Sequence, residues 1–415
     1  MNMTLAEKIN SYSDDFWDFA NYRNSNAFVH YPAVMVAPMQ ACLLKEIITL
    51  DSSVREILDP FCGSGTALVE GRNLNLNVKG FDINPLAVLL TRVQLEGVSE
   101  SKIVRSIDLL FSQISLLIGN VKPYSFKNIN KWFNQDVIVS LSVIRESIRL
   151  EKDDRIRRFF WCCFAETVRK FCNSRTSTFK LHVKPIEQIE KTVDSSISFF
   201  KNHVLNSYRK LIYEPSNEIS VLSGDSKKLL DCIPDESIDL IYTSPPYGDN
   251  QSTVTYGQYS ILPLLWIDDE DLMIWDKKIF DNFSVIDSSS LGGRINFSEK
   301  TEEKYSPFVG QISKKKQKKV FSFLEDYEIV FNLMSKKIKR DKLLVLTLGN
   351  RRVDNIQIPF DRINDTLAEE NGLMLDSTIT RNIFCKRIPA KVSNINNIGS
   401  VKSMTKEYIK IYRKL

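Results

Sequence analysis

The segment that most narrows the possible folds is VREILDPFCGSGTALVEG, Val54 to Gly71. A short apolar strand, Val54–Leu58, is closed by Asp59-Pro60, and Gly63 and Gly65 then allow a tight turn. A helix is predicted from Thr66 to about Asn73, and a second strand, NVKGFDI, ends at Asp82. Strand, glycine turn, helix and strand in that order open a doubly wound, mostly parallel α/β sheet. In such a sheet a ligand approaches the bare main chain at the turn and meets the amides at the helix start. Asp82, nineteen positions after Gly63, is where this fold sets an acid against ribose hydroxyls. The competing readings are local: Phe61 as ordinary core, and Asp82 as the cap of a helix over Pro85–Arg92.

Further along the chain the character changes twice. Residues 1–97 carry an amphipathic helix, Met39–Ile48, and the cofactor-type turn, and they read as the first part of a catalytic domain. Residues 98–218 are almost free of glycine and repeat at helical spacing, as in QDVIVSLSVIRESIRL and RIRRFFWCCFAETVRKF, which predicts a mainly helical insertion. Residues 219–415 resume the alternation of strand and helix in ISVLSGDSKKLLDCIPDESIDLIYTSPPY. Within them, 268–330 reads as a variable, loop-rich region. The tail predicts a helix (Phe323–Lys337), a strand (Lys342–Leu348), a helix (Pro359–Glu370) and an antiparallel hairpin from STITRNIF and EYIKIYR.

Composition excludes several classes. The longest apolar runs, such as Ile261 to Ile267, fall far short of a membrane span. Seven cysteines without a CxxC pair, and only three histidines, predict reduced thiols in a cytoplasm and no metal site. The opening MNMTLAEKINSYSDDFWDF lacks the basic-then-apolar order of a secretory leader. A net charge of +5 permits a polyanionic partner without requiring one.

The second constellation is TSPPY, Thr243 to Tyr247, directly after the buried-strand pattern SIDLIY. It therefore sits at the carboxyl end of a parallel strand, where open α/β sheets bind ligands. Pro245 and Pro246 fix an extended backbone and remove two amide donors, which frees carbonyl oxygens as acceptors. Ser244 adds a hydroxyl and Tyr247 a flat ring. Taken alone, such a tetrad also occurs as a turn between surface elements.

Together the strings DPFCGSGT and SPPY resemble the signatures of the DNA amino-methyltransferases, the N4-cytosine and N6-adenine class. The resemblance spans about Phe28–Arg92, Ile219–Ile267 and Lys342–Arg413 and implies a seven-stranded Rossmann-like methyltransferase sheet. It implies S-adenosylmethionine, with Asp59, Phe61, Gly63 and Gly65 around its methionine end, Thr66 as a further cofactor-binding residue and Asp82 on its ribose. FVHYPAVMVAP resembles the segment that precedes the glycine signature, which makes Tyr31 and Pro32 cofactor candidates. Asp225 matches an acid near the adenine, and equally fits an N-cap for the helix that follows it.

For the tetrad, the resemblance implies a base amino group held by Ser244 and the Pro245 carbonyl. That nitrogen is a poor nucleophile because its lone pair is delocalised into the ring. Two acceptors would favour a pyramidal nitrogen, and positioning can supply ~7–11 kcal/mol of the barrier. The base must leave the duplex, and stacking on Tyr247 returns roughly 1–3 kcal/mol of that cost. A leading serine is the form associated with cytosine N4, and leading Asp or Asn with adenine N6. Methylation at cytosine C5 is disfavoured because that chemistry needs a cysteine after a proline, and the chain has no Pro-Cys. The implied partners are double-stranded DNA and, in a restriction–modification system, a cognate endonuclease. Phosphate contacts could come from Arg155, Arg157, Arg158, Arg169, Lys170 and Arg175, or from a flexible loop at KKKQKK, Lys314–Lys319. The alternatives are an amphipathic helix with a solvated basic face and a solvated loop.

Overall fold

The computed structural model describes residues 3–13, 15–22, 29–175, 178–383 and 404–415. Phe28 and Phe384, which belong to two of the motifs above, lie outside these residues.

Seven strands form one sheet: β1 (Glu56–Asp59), β2 (Asn77–Asp82), β3 (Ile219–Ser223), β4 (Ile238–Thr243), β5 (Ile338–Leu348), β8 (Leu373–Asn382) and β9 (Lys406–Lys414). Two short strands, β6 (Arg352–Val353) and β7 (Ile356–Gln357), pair separately. The order across the sheet is β3-β2-β1-β4-β5-β9-β8. The strands from β3 to β5 pair in parallel, while β9 runs antiparallel between β5 and β8. The chain leaves β1 toward β2 and β3, then returns to place β4 on the other side of β1. That reversal opens a crevice between the carboxyl ends of β1 and β4.

Alternation along the strands separates two cores. Ile57, Val78, Leu240, Tyr242 and Val345 pack on one face with helix Ala37–Leu50. Leu58, Phe81, Ile241, Leu344 and Leu346 pack on the other with helix Lys314–Lys337. Every residue of β4 is buried, as expected of a central parallel strand covered on both faces. A third core joins helices Glu100–Leu117, Gln135–Arg149, Asp154–Phe171 and Ser196–Ser207 to helix Tyr256–Trp266.

Two expectations are corrected here. The stretch 268–330 is not loop-rich: it contains helix Glu299–Val309 and the larger part of helix Lys314–Lys337. Leu291, Tyr305, Val309, Ile312 and Val320 from it are buried core. Nor is KKKQKK a flexible loop, since Lys314–Lys319 form the first turns of that helix. Its apolar stripe begins only at Val320, so the lysines carry no periodic signal, and packing further along holds the whole helix.

The basic helix Asp154–Phe171 takes its amphipathic alternative. Arg157 makes a bidentate pair with Asp271, and Arg158 pairs with Glu96 at 2.5 Å. The Arg169 guanidinium lies 3.5 Å from the centroid of the Tyr259 ring, and Lys170 lies over Phe199. Arg155 donates to the Glu96 carbonyl, whereas Arg175 is exposed.

Candidate active site

The carboxyl ends of β1, β2, β4 and β5 open into one cavity of about 1090 Å³. Its wall includes Tyr31, Pro32, Phe61, Gly63, Thr66, Asp82 and Asp225, together with Ser244, Pro245, Pro246 and Tyr247. The glycine turn and the proline tetrad, 181 residues apart from Gly63 to Ser244, therefore share one space. Asp59 and Gly65 are not on that wall; they sit beneath it as its support.

Gly65 is the N-cap of helix Thr66–Asn73 and has φ of 81°, a conformation that side-chain-bearing residues rarely adopt. A Cβ there would come within 2.7 Å of Thr91 Cγ2. Thr91 uses its hydroxyl to bond the Gly63 carbonyl at 2.8 Å, which fixes the turn from the neighbouring helix. The Gly63 amide donates to Asp82 at 2.8 Å, and the Asn84 amide donates to the other Asp82 oxygen at 2.8 Å. Asp82 is thus tied to the turn, and the cap of helix Pro85–Glu96 is Asn84 instead. Asp225 does both things expected of it: it caps helix Ser226–Asp231 and it faces the cavity.

Enclosure sets the charge state of the acids. Burial pushes Asp82 up to about 6 against the pull of its two amide donors. Asp59 is fully buried, and burial raises it to about 7 although Thr243 Oγ1 (2.5 Å) and the Phe61 amide (3.0 Å) donate to it. Its Oδ2 has no partner among the described residues. Through Thr243, Asp59 also links the end of β1 to the residue before the tetrad.

At the tetrad, Ser244 Oγ donates to the Thr347 carbonyl at 3.3 Å and lies 3.3 Å from the Tyr247 hydroxyl. With its proton directed at a carbonyl, the Ser244 oxygen keeps lone-pair capacity for an incoming N–H. Burial raises the Tyr247 hydroxyl, so the ring stays neutral. Opposite Gly63 stands an aromatic wall: Tyr31 stacks on Tyr256 at 5.8 Å, and its hydroxyl receives a bond from Asn84 Nδ2 at 3.0 Å.

Sequence reasoning missed Asn84, Tyr256, Thr347, Arg351, Arg381 and Glu407, all of which line the cavity. Asn84 had a usable signal, a cap residue directly before Pro85. Tyr256 lies in VTYGQY just after the tetrad. Thr347, Arg381 and Glu407 reach the cavity through strand pairing, and Arg351 from the loop after β5.

The donor set fits S-adenosylmethionine. An acid with spare lone pairs stands at the β2 tip for paired hydroxyls, and aromatic rings and open main chain surround the turn. The volume exceeds the roughly 300–1,000 Å³ of ordinary ligand pockets, enough for a second occupant beside the cofactor. Among the described residues no group of three or more His, Cys, Asp or Glu could hold a metal ion, and no helix is long and apolar enough to cross a membrane.

No protein-family model matches the chain. It is 32% identical over 444 residues to the type II methyltransferase M.MvaI of Kocuria varians, covering 98% of this chain and 95% of that one. Among solved structures it matches a putative DNA modification methylase from Thermus thermophilus, complexed with S-adenosyl-L-methionine, at 17% identity and a TM-score of 0.23. That match covers 46% of this chain and 53% of the Thermus protein, about half its length. A putative sarcosine dimethylglycine methyltransferase from Galdieria sulphuraria matches at 10% identity, 94% and 93% coverage and a TM-score of 0.31. At TM-scores this low, neither structural likeness bears on the chemistry.

Proposed function

The chain belongs to the type II DNA methyltransferases, and on that premise we propose that it methylates the N4 amino group of a cytosine everted from double-stranded DNA. S-Adenosylmethionine is its methyl donor. When bound, this cofactor supplies an electrophilic methyl group on a sulfonium. Asp82 accepts from the ribose hydroxyls, the Gly63–Thr66 turn and Phe61 surround the methionine end with Tyr31 and Pro32, and Asp225 takes the adenine side. Asp59 and Gly65 hold that turn in shape from below.

The observation that carries this reading is the single cavity shared by Gly63 and Ser244. Ser244 Oγ and the Pro245 carbonyl accept the two amino hydrogens. As the nitrogen becomes positive those bonds strengthen, which stabilises the transition state more than the ground state. Pro246 keeps the backbone extended, and Tyr247 stacks on the base. The amino nitrogen would gain the methyl group as the carbon–sulfur bond breaks, with the bonding pair leaving on sulfur, and would then lose a proton to solvent.

The strand enters past the lysine-rich helix start, where Lys315, Lys316 and Lys319 line the cavity rim beside Arg351 and Arg352. Amides at a helix start and lysines together favour phosphate oxygens. The helical layer 98–218, flanked by catalytic segments 1–97 and 219–415, offers DNA the exposed Arg175, since Arg157, Arg158 and Arg169 are paired within the fold. The setting is a restriction–modification system in the cytoplasm, with a cognate endonuclease as partner.

The deciding experiment is incubation of the protein with cofactor labelled in its methyl group and duplex DNA, followed by nucleoside analysis and mapping of the modified base. N4-methylcytosine in a fixed sequence is expected. Recovery of N6-methyladenine would transfer the proposal to adenine, and DNA left without label would overturn it.

A further inference from the structure

The floor of the cavity beyond the tetrad holds two polar groups that the fold leaves unsatisfied. Among the described residues, Thr347, only 4% exposed, has no hydrogen-bond partner for its Oγ1, and Arg381, only 6% exposed, has none for its Nε. Both residues line the cavity. Buried donors without partners are rare in folded proteins, and two of them in residues that line one cavity mark a place that a polar ligand completes.

Strand register puts them in line with the tetrad. Thr243 pairs with Leu346, so Ser244 comes beside Thr347, whose carbonyl receives its hydroxyl. Thr347 pairs with Ile409, and two residues earlier on β9 Glu407 pairs directly with Arg381 on β8. Glu407 and the Asp18 carbonyl hold the guanidinium from behind. From β4 to β8, the strand of Arg381, is three strand spacings, roughly 14 Å between backbones, and the charges of Glu407 and Arg381 both act on the Tyr247 hydroxyl, which lies 3.3 Å from Ser244 Oγ. Tyr247 lies in between. A Cβ on Gly349 would meet Tyr247 Cε2 at 2.6 Å and Met404 Sδ at 2.3 Å, so the ring reaches from Ser244 toward the start of β9.

Resting on the methyltransferase reading above, we propose that Thr347 and Arg381 form a donor edge that holds the acceptors N3 and O2 of the everted cytosine. A base stacked on Tyr247 with its amino group at Ser244 turns its next ring positions toward this edge. In cytosine those positions are two adjacent acceptors, N3 and O2. In adenine they are N1 and then C2–H, which leaves one donor facing carbon. The edge therefore selects cytosine by the cost of an unpaired buried donor, a large penalty in sites built to hydrogen-bond their substrate.

The test uses the intact enzyme and a duplex carrying the site that the unaltered enzyme methylates. Thr347→Val keeps the side-chain shape and removes a hydroxyl that has no partner in the fold. It should leave the unfolding temperature and cofactor affinity unchanged while kcat/KM falls roughly tenfold. Arg381→Gln should lower kcat/KM further. Replacing the target cytosine by 3-deazacytosine, which lacks the N3 acceptor, should cost the unaltered enzyme roughly tenfold and cost Thr347→Val little more. Full turnover by both variants, an equal 3-deazacytosine penalty in all three proteins, or adenine as the modified base would overturn this inference and leave the methyltransferase reading standing. Absence of methyl transfer by the unaltered enzyme would remove that reading and the inference with it.

Discussion

At the residue scale, the proposed chemistry divides between Ser244, which accepts, and Tyr247, which stacks. Ser244→Ala is expected to lower kcat roughly a hundredfold, as loss of one transition-state hydrogen bond does in other enzymes, while cofactor binding survives. Tyr247→Ala should raise KM for duplex DNA, because roughly 1–3 kcal/mol of base stacking goes with the ring. Steady-state methylation with labelled cofactor separates the two effects, and wild-type turnover in both variants would refute the tetrad assignment. Asp82 brings a pH dependence with a definite sign. Its carboxyl is held at about 6 by burial, and only the ionised form accepts from two hydroxyls without competing as a donor. Its neighbours Asp59, raised to about 7, and Tyr31, whose hydroxyl stays neutral, add no positive charge to pull it down. Cofactor affinity should therefore rise as pH climbs through about 6, and weaken by about tenfold per pH unit below it. Calorimetric titration between pH 5 and 8 reads this directly. Asp82→Asn should bind weakly with a flat profile, and a Kd unaffected by pH in the unaltered enzyme would remove Asp82 from the cofactor site.

At the element scale, helix Lys314–Lys337 is the informative one. Five lysines crowd its first six positions, against the sign of the helix dipole. Asp354, from the turn between β6 and β7, offsets part of this charge: it pairs with Lys316 and accepts the Ser313 hydroxyl at 2.6 Å. Lys319 reaches Gln251 at 3.2 Å across the cavity mouth. A helix start with this much positive charge is suited to a polyanion. Replacing Lys315, Lys316 and Lys319 by Gln should leave the fold intact and weaken DNA binding at low salt. The slope of log K against log salt should become shallower by up to about 2.7, which is 0.9 for each phosphate no longer neutralised. An unchanged slope would mean that these lysines stay in solvent. The glycine-turn helix Thr66–Asn73 was legible from the sequence because its signals are local, whereas the lysine helix was not, since its stability comes from the buried stripe after Val320.

At the scale of the whole molecule, the cavity is assembled from the ends of β1, β2, β4 and β5, the 314–337 helix and the β8–β9 pair, and a bound cofactor touches several of these at once. S-Adenosylmethionine at a hundred times its Kd should stabilise the protein by about 2.7 kcal/mol, visible as a rise in the thermal unfolding midpoint. Asp82→Asn should abolish most of that rise, and a midpoint indifferent to the cofactor in the unaltered protein would contradict the cofactor assignment. The sequence by itself determined the strand–turn–helix that makes the cofactor turn, the strand that delivers Ser244, the helical character of 98–218 and the antiparallel C-terminal pair. Each of these is written in spacing, glycine placement or alternation over a few neighbouring residues. Only the tertiary structure decided that Asp59 lies under the turn with a raised acid and that the basic helix spends its arginines on Glu96, Asp271 and Tyr259. It alone set Thr347 and Arg381 on one floor with Ser244. Those arrangements depend on which strands lie side by side and which face each side chain takes, and a strand carries no mark of its neighbour until the sheet has formed.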